Sequence, residues 1–285
     1  MSAFTRTFAQ EKSVSALIKR RPLAAMYIIM FSIAWSVMIP QALYSQGMLS
    51  APLPVFFEIF IGWAAGIAAL IVSAIVAGRV GVREIFGRFL IWKIDLKWYF
   101  VGGFLLAGII LGGIGLHVLF GGVMPVIPVA GKPLWEIVLT FVLLIVMGFL
   151  FNTEETVWRG FAVPRLQTRY GALIATLLIA IPEVGLHLPL FWTRGNPFYE
   201  TVGVYWFSAF SLAAVVIYVY VFNMTKGSLI IVTLMHASQN AWSNLLSDNS
   251  ARPFYFTVLV IWMIAIALIF ITKGRLGYEN NSVVE

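Results

Sequence analysis

The chain has 285 residues, of which 61% are hydrophobic and 11% are charged, and its mean hydropathy is +0.93. This composition excludes an ordinary soluble domain and predicts a membrane protein. The absence of cysteine excludes disulfide frameworks, thiolate metal sites and cysteine nucleophiles. The net charge of +7 does not indicate nucleic-acid binding, because the basic residues lie at the ends of apolar runs, where they report membrane topology.

Long apolar runs predict an all-α, polytopic membrane helix bundle with about eight transmembrane helices. The runs cover residues 23–42, 55–78, 99–121, 135–157, 171–190, 203–222, 228–247 and 254–272. Between the second and third runs, residues 79–98 mix five basic residues with apolar ones. This composition is typical of an amphipathic segment in the membrane interface, although a solvated connector fits it equally well.

The distribution of Lys and Arg predicts the orientation of the chain. Alternate connections hold 16 basic residues on one side, whereas the opposite connections hold three, Lys132, Arg194 and Arg252. By the positive-inside rule, both termini are predicted to lie in the cytoplasm. The lipid bilayer is therefore the first predicted partner of the chain.

The first group of ionisable residues at the end of an apolar run is Glu154, Glu155 and Arg159. Charged side chains in hydrocarbon are costly, so they mark functional sites by default. On a helix, Glu155 and Arg159 are four residues apart and can pair, whereas Glu154 points about 100° away from Glu155. Glu154 is therefore a candidate general base in the bundle interior. A helix end with solvated charges on the cytoplasmic side is the alternative.

Two further apolar runs carry histidine. His187 follows Glu183 by one helical turn, so the Glu183 carboxylate can hold its imidazole. His236 and Asn240 are four residues apart and share a helix face, from which they can bind water or stabilise an oxyanion. The structural alternatives are a buried packing role for His187 and polar contacts between helices for His236 and Asn240.

Several other hydrolase motifs are missing from the sequence. It contains no His-Glu-x-x-His zinc-protease motif and no Gly-x-Ser-Gly serine-protease motif. Its two aspartates, Asp95 and Asp248, lie outside the Gly-x-Gly-Asp setting of an intramembrane aspartyl protease. The remaining chemistry is that of Glu, His and Asn.

Counting along the helices raises a geometric difficulty for a joint site. At about 1.5 Å per residue, Glu154 and His187 reach opposite faces of the membrane if both helices start at its surface. The two residues can meet if the fourth helix is extended or if the fifth starts below the membrane surface. We expect the fourth helix to continue to about Pro164.

Together, the three groups resemble the motifs of the CAAX-protease and bacteriocin-processing (CPBP, Abi) family of glutamate-type intramembrane proteases, which includes the Ras-converting enzymes. The hallmarks of this family are Glu-Glu-x-x-x-Arg, Phe-x-x-x-His and His-x-x-x-Asn/Asp on separate membrane helices. Glu154, Glu155 and Arg159 match the first hallmark, and His236 and Asn240 match the third.

The second hallmark is matched at His187, but Glu183 stands in its aromatic position, which leaves the usual chemistry of the family open here. The resemblance covers roughly residues 135–246. We therefore divide the chain into a cytoplasmic N-terminal segment (1–22), N-terminal transmembrane helices (23–134), a protease-like core (135–247) and a last helix with a cytoplasmic tail (248–285).

The resemblance implies an intramembrane endopeptidase. The roles it implies are water activation by Glu154 and His187, oxyanion stabilisation by His236 and Asn240, and support of the site by Glu155, Arg159 and Glu183. It also implies hydrolysis without a metal or another cofactor. A zinc ion at Glu154, His187 and His236 is the alternative, since two imidazoles and a carboxylate are zinc ligands.

The implied substrate is a membrane-anchored or prenylated protein or peptide, and the expected location is a prokaryotic cytoplasmic membrane. Two other functions stay open. One is a non-catalytic membrane scaffold or bacteriocin-immunity protein, which the departure at Glu183 favours. The other is a proton-coupled transporter, against which the lack of paired broken helices in two halves argues.

Overall fold

The computed structural model describes residues 13–279 and consists of helices joined by short connections. In chain order, the helices are α1 (Val14–Arg20), α2 (Pro22–Ser45), α3 (Ile59–Phe89), α4 (Leu96–Leu119), α5 (Leu134–Phe151), α6 (Val163–Tyr170), α7 (Ala172–His187), α8 (Pro197–Met224), α9 (Leu229–Leu246) and α10 (Ala251–Ile271). A π-helical segment (Thr156–Ala162) leads into α6, and 3-10 turns precede α3 (Val55–Glu58) and follow α7 (Leu188–Trp192). No β-strand occurs within residues 13–279, and the predicted all-α fold is confirmed.

Parts of the predicted N-terminal segment and tail, residues 1–12 and 280–285, lie outside the described residues. Within the described part, seven helical stretches are long and apolar enough to cross a membrane: Pro22–Ser45, Val55–Phe89, Leu96–Leu119, Leu134–Phe151, Ala172–Trp192, Phe198–Met224 and Ala251–Ile271. The predicted run at 228–247 forms α9, which is not among them. One face of α9 packs against other helices, and its other face presents polar side chains to a cavity inside the bundle.

The expectation that the fourth helix continues to Pro164 is wrong. Helix α5 ends at Phe151, and Asn152 has an extended backbone with φ −114° and ψ 106°. The chain becomes helical again at Glu154 and stays so to Tyr170. The predicted single helix is therefore two helical segments, with Glu154 at the start of the second.

The π-helical segment, α6 and α7 form a helical hairpin that turns at Gly171. The φ of Gly171 is +78°, a conformation that residues with a Cβ rarely adopt. Arg159 and Glu183 lie 12 residues to either side of this turn, and their side chains meet at 3.3 Å. Helix α7 therefore starts roughly 18 Å before the level of Arg159 and reaches that level at Glu183. The two motifs therefore meet because α7, the predicted fifth helix, starts well before the level of Arg159. An extension of the predicted fourth helix is not the cause.

Residues 79–98, which are predicted to lie in the membrane interface, form the last part of α3, a short connection and the start of α4. Helix α3 is kinked at Gly78, where φ is +60° and ψ is −142°. The kink separates the apolar part of α3 from the basic part that follows. The interfacial position of this segment stays a prediction.

Candidate active site

A cavity of about 840 Å³ lies inside the bundle, and all four side chains predicted to be catalytic line it. These are Glu154, His187, His236 and Asn240. They come from the start of the second helical segment, the end of α7 and the middle of α9. Of the three predicted supporting residues, Glu183 also lines the cavity, whereas Glu155 and Arg159 are buried behind it.

Thr153 fixes the break that precedes Glu154 by inserting into the hydrogen-bond ladder of α3. Its backbone N–H and its hydroxyl both donate to the carbonyl oxygen of Gly62, at 2.9 and 2.7 Å. The N–H of Gly66 donates to the Thr153 hydroxyl oxygen at 2.8 Å. In an uninterrupted helix that N–H would donate to the Gly62 carbonyl. The break is therefore stabilised by a helix 91 residues earlier in the chain.

The close approach at Thr153 requires glycine in α3. A Cβ at Gly62 would lie 1.7 Å from the carbonyl oxygen of Phe151, and a Cβ at Gly66 would lie 2.8 Å from the Thr153 hydroxyl oxygen. Two glycines four residues apart on one helix face let neighbouring backbones approach closely in membrane proteins. This pair was not predicted from the sequence.

We expect Gly62→Ala to destabilise the protein by about 3 kcal/mol, the upper end of the usual cost of overpacking, because the obstructing atom belongs to the backbone. Thermal unfolding in detergent measures the effect. Gly108→Ala is the matched control, since this helical glycine has no heavy atom within 4 Å of an added Cβ. Equal melting temperatures for the two variants would contradict the close contact of α5 with α3.

Arg159 lies at the centre of a buried ion cluster. Its side chain is 0% exposed, and its Nη1 donates to Glu155 Oε1 at 3.2 Å and to Glu183 Oε2 at 3.3 Å. The guanidinium carbon also lies 4.6 Å from the ring centroid of Tyr218, within cation–π distance. The guanidinium therefore forms ion pairs with two carboxylates from different helical segments and links the first motif to α7.

The imidazole of His187 is held by the backbone of Glu183 and not by its side chain. His187 Nδ1 lies 2.9 Å from the Glu183 carbonyl oxygen, so Nδ1 carries the proton and donates. The expectation that the Glu183 carboxylate holds the imidazole is wrong, because that carboxylate binds Arg159. In this tautomer the lone pair of His187 Nε2 is free to accept a hydrogen bond.

A chain of hydrogen bonds fixes His236 and identifies Asn152, a site residue that was not predicted from the sequence. The backbone N–H of Glu154 donates to Asn152 Oδ1 at 3.0 Å, which fixes the orientation of the Asn152 amide. Asn152 Nδ2 must then donate to His236 Nε2, 3.2 Å away. His236 consequently carries its proton on Nδ1 and donates it to Glu155 Oε1 at 2.9 Å. Neither ring nitrogen of His236 is left to donate into the cavity.

Two aromatic residues complete the site. Trp158 Nε1 donates to Glu154 Oε2 at 3.2 Å, and Trp158 is itself buried. Tyr218 stacks on Arg159, lies in a T-shaped arrangement with the His236 ring and donates its hydroxyl hydrogen to Gln239 Oε1 at 3.1 Å. Trp158 stands inside the first motif, one turn after Glu154, but Tyr218 lies in the apolar helix α8, where nothing in the sequence marks it.

The third histidine of the sequence, His117, is not part of this site. It is buried at the end of α4, and its Nε2 is 2.9 Å from the carbonyl oxygen of Val123. The ring therefore holds the following loop, which crosses directly over it at Gly122.

The arrangement of the site does not fit a zinc ion. Among residues 13–279, no group of three or more His, Asp or Glu side chains is placed to hold a metal. Both nitrogens of His236 are engaged, with Glu155 and Asn152, so this residue would have to break a hydrogen bond to bind zinc.

Residues 131–242 match the family model described as type II CAAX prenyl endopeptidase Rce1-like. Over these residues, which are 112 of the 285 in the chain, the protein is similar to this family. The match confirms the family resemblance predicted from the three motifs, all of which lie inside the Rce1-like segment. No curated protein matches the chain. The seven apolar helical stretches and the similarity to a membrane protease family support an integral membrane protein, and the same similarity supports protease activity.

Proposed function

We propose that this protein is an intramembrane endopeptidase that hydrolyses a peptide bond of a membrane-associated protein or peptide. The observation that carries the proposal is the shared cavity lined by Glu154, His187 and Asn240 from three helical segments. A carboxylate, an imidazole with a free nitrogen lone pair and an amide donor are the groups that water activation and oxyanion stabilisation require.

In the proposed reaction, Glu154 is the general base. A water in the cavity donates to its carboxylate and attacks the carbonyl carbon of the scissile bond, and the proton passes through Glu154 to the leaving amine. His187 Nε2 accepts the second hydrogen bond of this water and orients it. The hydrogen bond from Trp158 Nε1 to Glu154 Oε2 leaves the other carboxylate oxygen to take the proton.

The proposed oxyanion donors are the amides of Asn240 and Asn152. Asn240 is exposed in the cavity, which Asn152 also lines. One N–H of Asn152 Nδ2 binds His236, and the second is available to an oxyanion. His236 becomes a positioning residue that holds the Asn152 amide from one side while the Glu154 backbone holds it from the other. This revises the role that the resemblance implies for His236.

We expect Asn152→Ala to lower kcat for a lipid-anchored peptide by about 10²-fold with little change in KM, because an oxyanion donor acts mainly in the transition state. The assay uses purified protein in detergent, with the cleavage products identified by mass spectrometry. Asn244→Ala is the matched control, since Asn244 lines the same cavity one turn after Asn240 and donates its amide to a backbone carbonyl. An equal loss in both variants, or unchanged turnover in Asn152→Ala, would contradict the assignment.

The proposed chemistry needs no metal, and the same assay tests this. Activity should persist in the presence of a chelator. Loss of activity with the chelator and its return with zinc would instead favour the alternative site at Glu154, His187 and His236.

The uneven distribution of basic residues supports an orientation with both termini in the cytoplasm. A prokaryotic cytoplasmic membrane stays the proposed location. The alternative function, a non-catalytic scaffold or bacteriocin-immunity protein, is favoured only by Glu183, which stands in the aromatic position of the second motif. Glu183 does not displace His187 from the cavity, since the hydrogen bond to His187 uses the backbone carbonyl. Absence of cleavage for every membrane-anchored peptide would favour the scaffold.

A further inference from the structure

The cavity extends from the candidate active site toward one end of the bundle. At its inner end lie Glu154, Glu183, Tyr218 and His236, and the next residues of the chain, 156–162, are all buried behind them. At its outer end the lining residues belong to three loops, 120–133, 193–196 and 247–250, which we call the mouth loops. None of the described lining residues belongs to a helix end at the opposite side of the bundle.

Hydrogen bonds hold the mouth loops in place around this opening. The backbone N–H of Val126 donates to Asp248 Oδ2 at 3.3 Å, which joins the first mouth loop to the third. The backbone N–H of Arg194 donates to the Ser45 hydroxyl at 3.0 Å, which joins the second mouth loop to the end of α2. These hydrogen bonds stabilise the opening at this end of the fold.

The two ends of the bundle differ strongly in charge. At the mouth end, the three basic residues Lys132, Arg194 and Arg252 are matched by the four acidic residues Glu58, Glu136, Glu200 and Asp248. The opposite end of the described chain carries 13 basic residues, at 19–21, 79–97, 165–169, Lys226 and 273–275, against the acidic residues Glu84, Asp95 and Glu279. Basic residues concentrate on the cytoplasmic side of membrane proteins. The mouth therefore belongs to the non-cytoplasmic face.

The charges inside the cavity restrict the substrate as well. Within the described residues, the lining contains Glu154, Glu183 and Asp248 but neither Lys nor Arg. A peptide cut a few residues from its own C-terminus brings a free carboxylate close to the scissile bond. Glu183 is paired with Arg159 behind the cavity wall, which leaves Glu154 and Asp248 as the unpaired acidic groups of the lining. In a site of low dielectric constant, the carboxylate of the peptide would meet these two like charges with no Lys or Arg side chain in the lining to pair with.

We propose that the substrate enters from the non-cytoplasmic face and is a peptide segment whose scissile bond lies away from a free C-terminal carboxylate. A prenylated C-terminal tail carried on the cytoplasmic leaflet meets neither condition. The substrate class is instead a membrane-anchored or exported chain with an exposed internal segment that is neutral or cationic. The choice of substrate rests on the proposed endopeptidase activity, whereas the face of entry does not.

Cysteine labelling tests the face of entry without any need for catalysis. The sequence contains no cysteine, so each single-cysteine variant reports one position. Ser243→Cys places a thiol in the cavity, Val123→Cys places one on a mouth loop where the side chain is 86% exposed, and Leu90→Cys places one at the basic end where it is 74% exposed. Intact cells are treated with a membrane-impermeant maleimide before and after permeabilisation.

The expected result is labelling of Val123→Cys and Ser243→Cys in intact cells, and of Leu90→Cys only after permeabilisation. The reverse pattern for Val123→Cys and Leu90→Cys would overturn the orientation. Labelling of Ser243→Cys only after permeabilisation, or not at all, would refute entry through the mouth. A catalytically inactive protein gives the same labelling pattern, so failure here is distinct from failure of the proposed function.

A matched pair of peptides tests the substrate class. Both are lipid-anchored and share one sequence, and they end three residues beyond the scissile bond in either a free carboxylate or a carboxamide. The carboxamide should be cleaved with roughly tenfold higher kcat/KM, a ratio that corresponds to about 1.4 kcal/mol. Equal or faster cleavage of the free acid would overturn the proposed preference, and Asp248→Asn should reduce the difference between the two peptides.

Discussion

Glu154→Gln is expected to lower kcat by about 10²- to 10⁴-fold, the contribution of a positioned general base. The amide has the shape of the carboxylate, and its oxygen can still accept the hydrogen bond of Trp158 Nε1. The geometry of the site should therefore survive while the proton acceptor is lost. Turnover of a lipid-anchored peptide measures the effect, and the melting temperature in detergent should stay close to that of the parent.

The matched control is Glu136→Gln, which changes the same atoms at the start of α5, where Glu136 pairs with Lys132 away from the cavity. This variant should keep parental turnover. If Glu154→Gln cleaves as fast as Glu136→Gln, Glu154 is not the base. Retained KM alongside a large loss of kcat would separate lost chemistry from lost binding.

Much of the site follows from helical spacing alone. The four-residue separations of Glu155 from Arg159 and of His236 from Asn240 place each pair on one helix face, and the structure shows the first as an ion pair and the second as two cavity residues. A helix is a local structure, so contacts at this spacing can be read from the sequence.

The break before Glu154 could not be predicted in the same way. The run from Leu134 to Val157 has no proline or paired glycine that would end a helix, and the stabilising partner of Thr153 is the distant Gly62. Tertiary contacts override local propensity at this position. The same reason explains why Asn152 was missed, since its amide acquires its role only because the break turns it toward His236.

The role of Glu183 also needed the structure. The sequence offers its carboxylate to His187 on the same helix, but Arg159 on the facing segment of the hairpin competes for it and binds it at 3.3 Å. A buried carboxylate is stabilised by a cation far more than by a neutral imidazole. The departure from the aromatic residue of the family is therefore part of an ion cluster and leaves the backbone contact to His187 in place.

Arg159→Met is expected to destabilise the protein by about 3–5 kcal/mol, the usual cost of removing one partner from a buried ion pair. The guanidinium is fully buried, and its loss would leave the carboxylates of Glu155 and Glu183 close together without a cation. The stacking contact with Tyr218 would also be lost. Thermal unfolding in detergent should show a large decrease in melting temperature.

The decisive comparison is the triple variant Arg159→Met, Glu155→Gln, Glu183→Gln, which removes the two negative charges together with the cation. The amide oxygen introduced by Glu155→Gln can still accept the hydrogen bond from His236 Nδ1, so the orientation of Asn152 is kept. Because no uncompensated charge remains buried, the triple variant should recover most of the stability lost in Arg159→Met. A triple variant as unstable as Arg159→Met would mean that the guanidinium acts through packing, and the electrostatic account of the cluster would then be wrong.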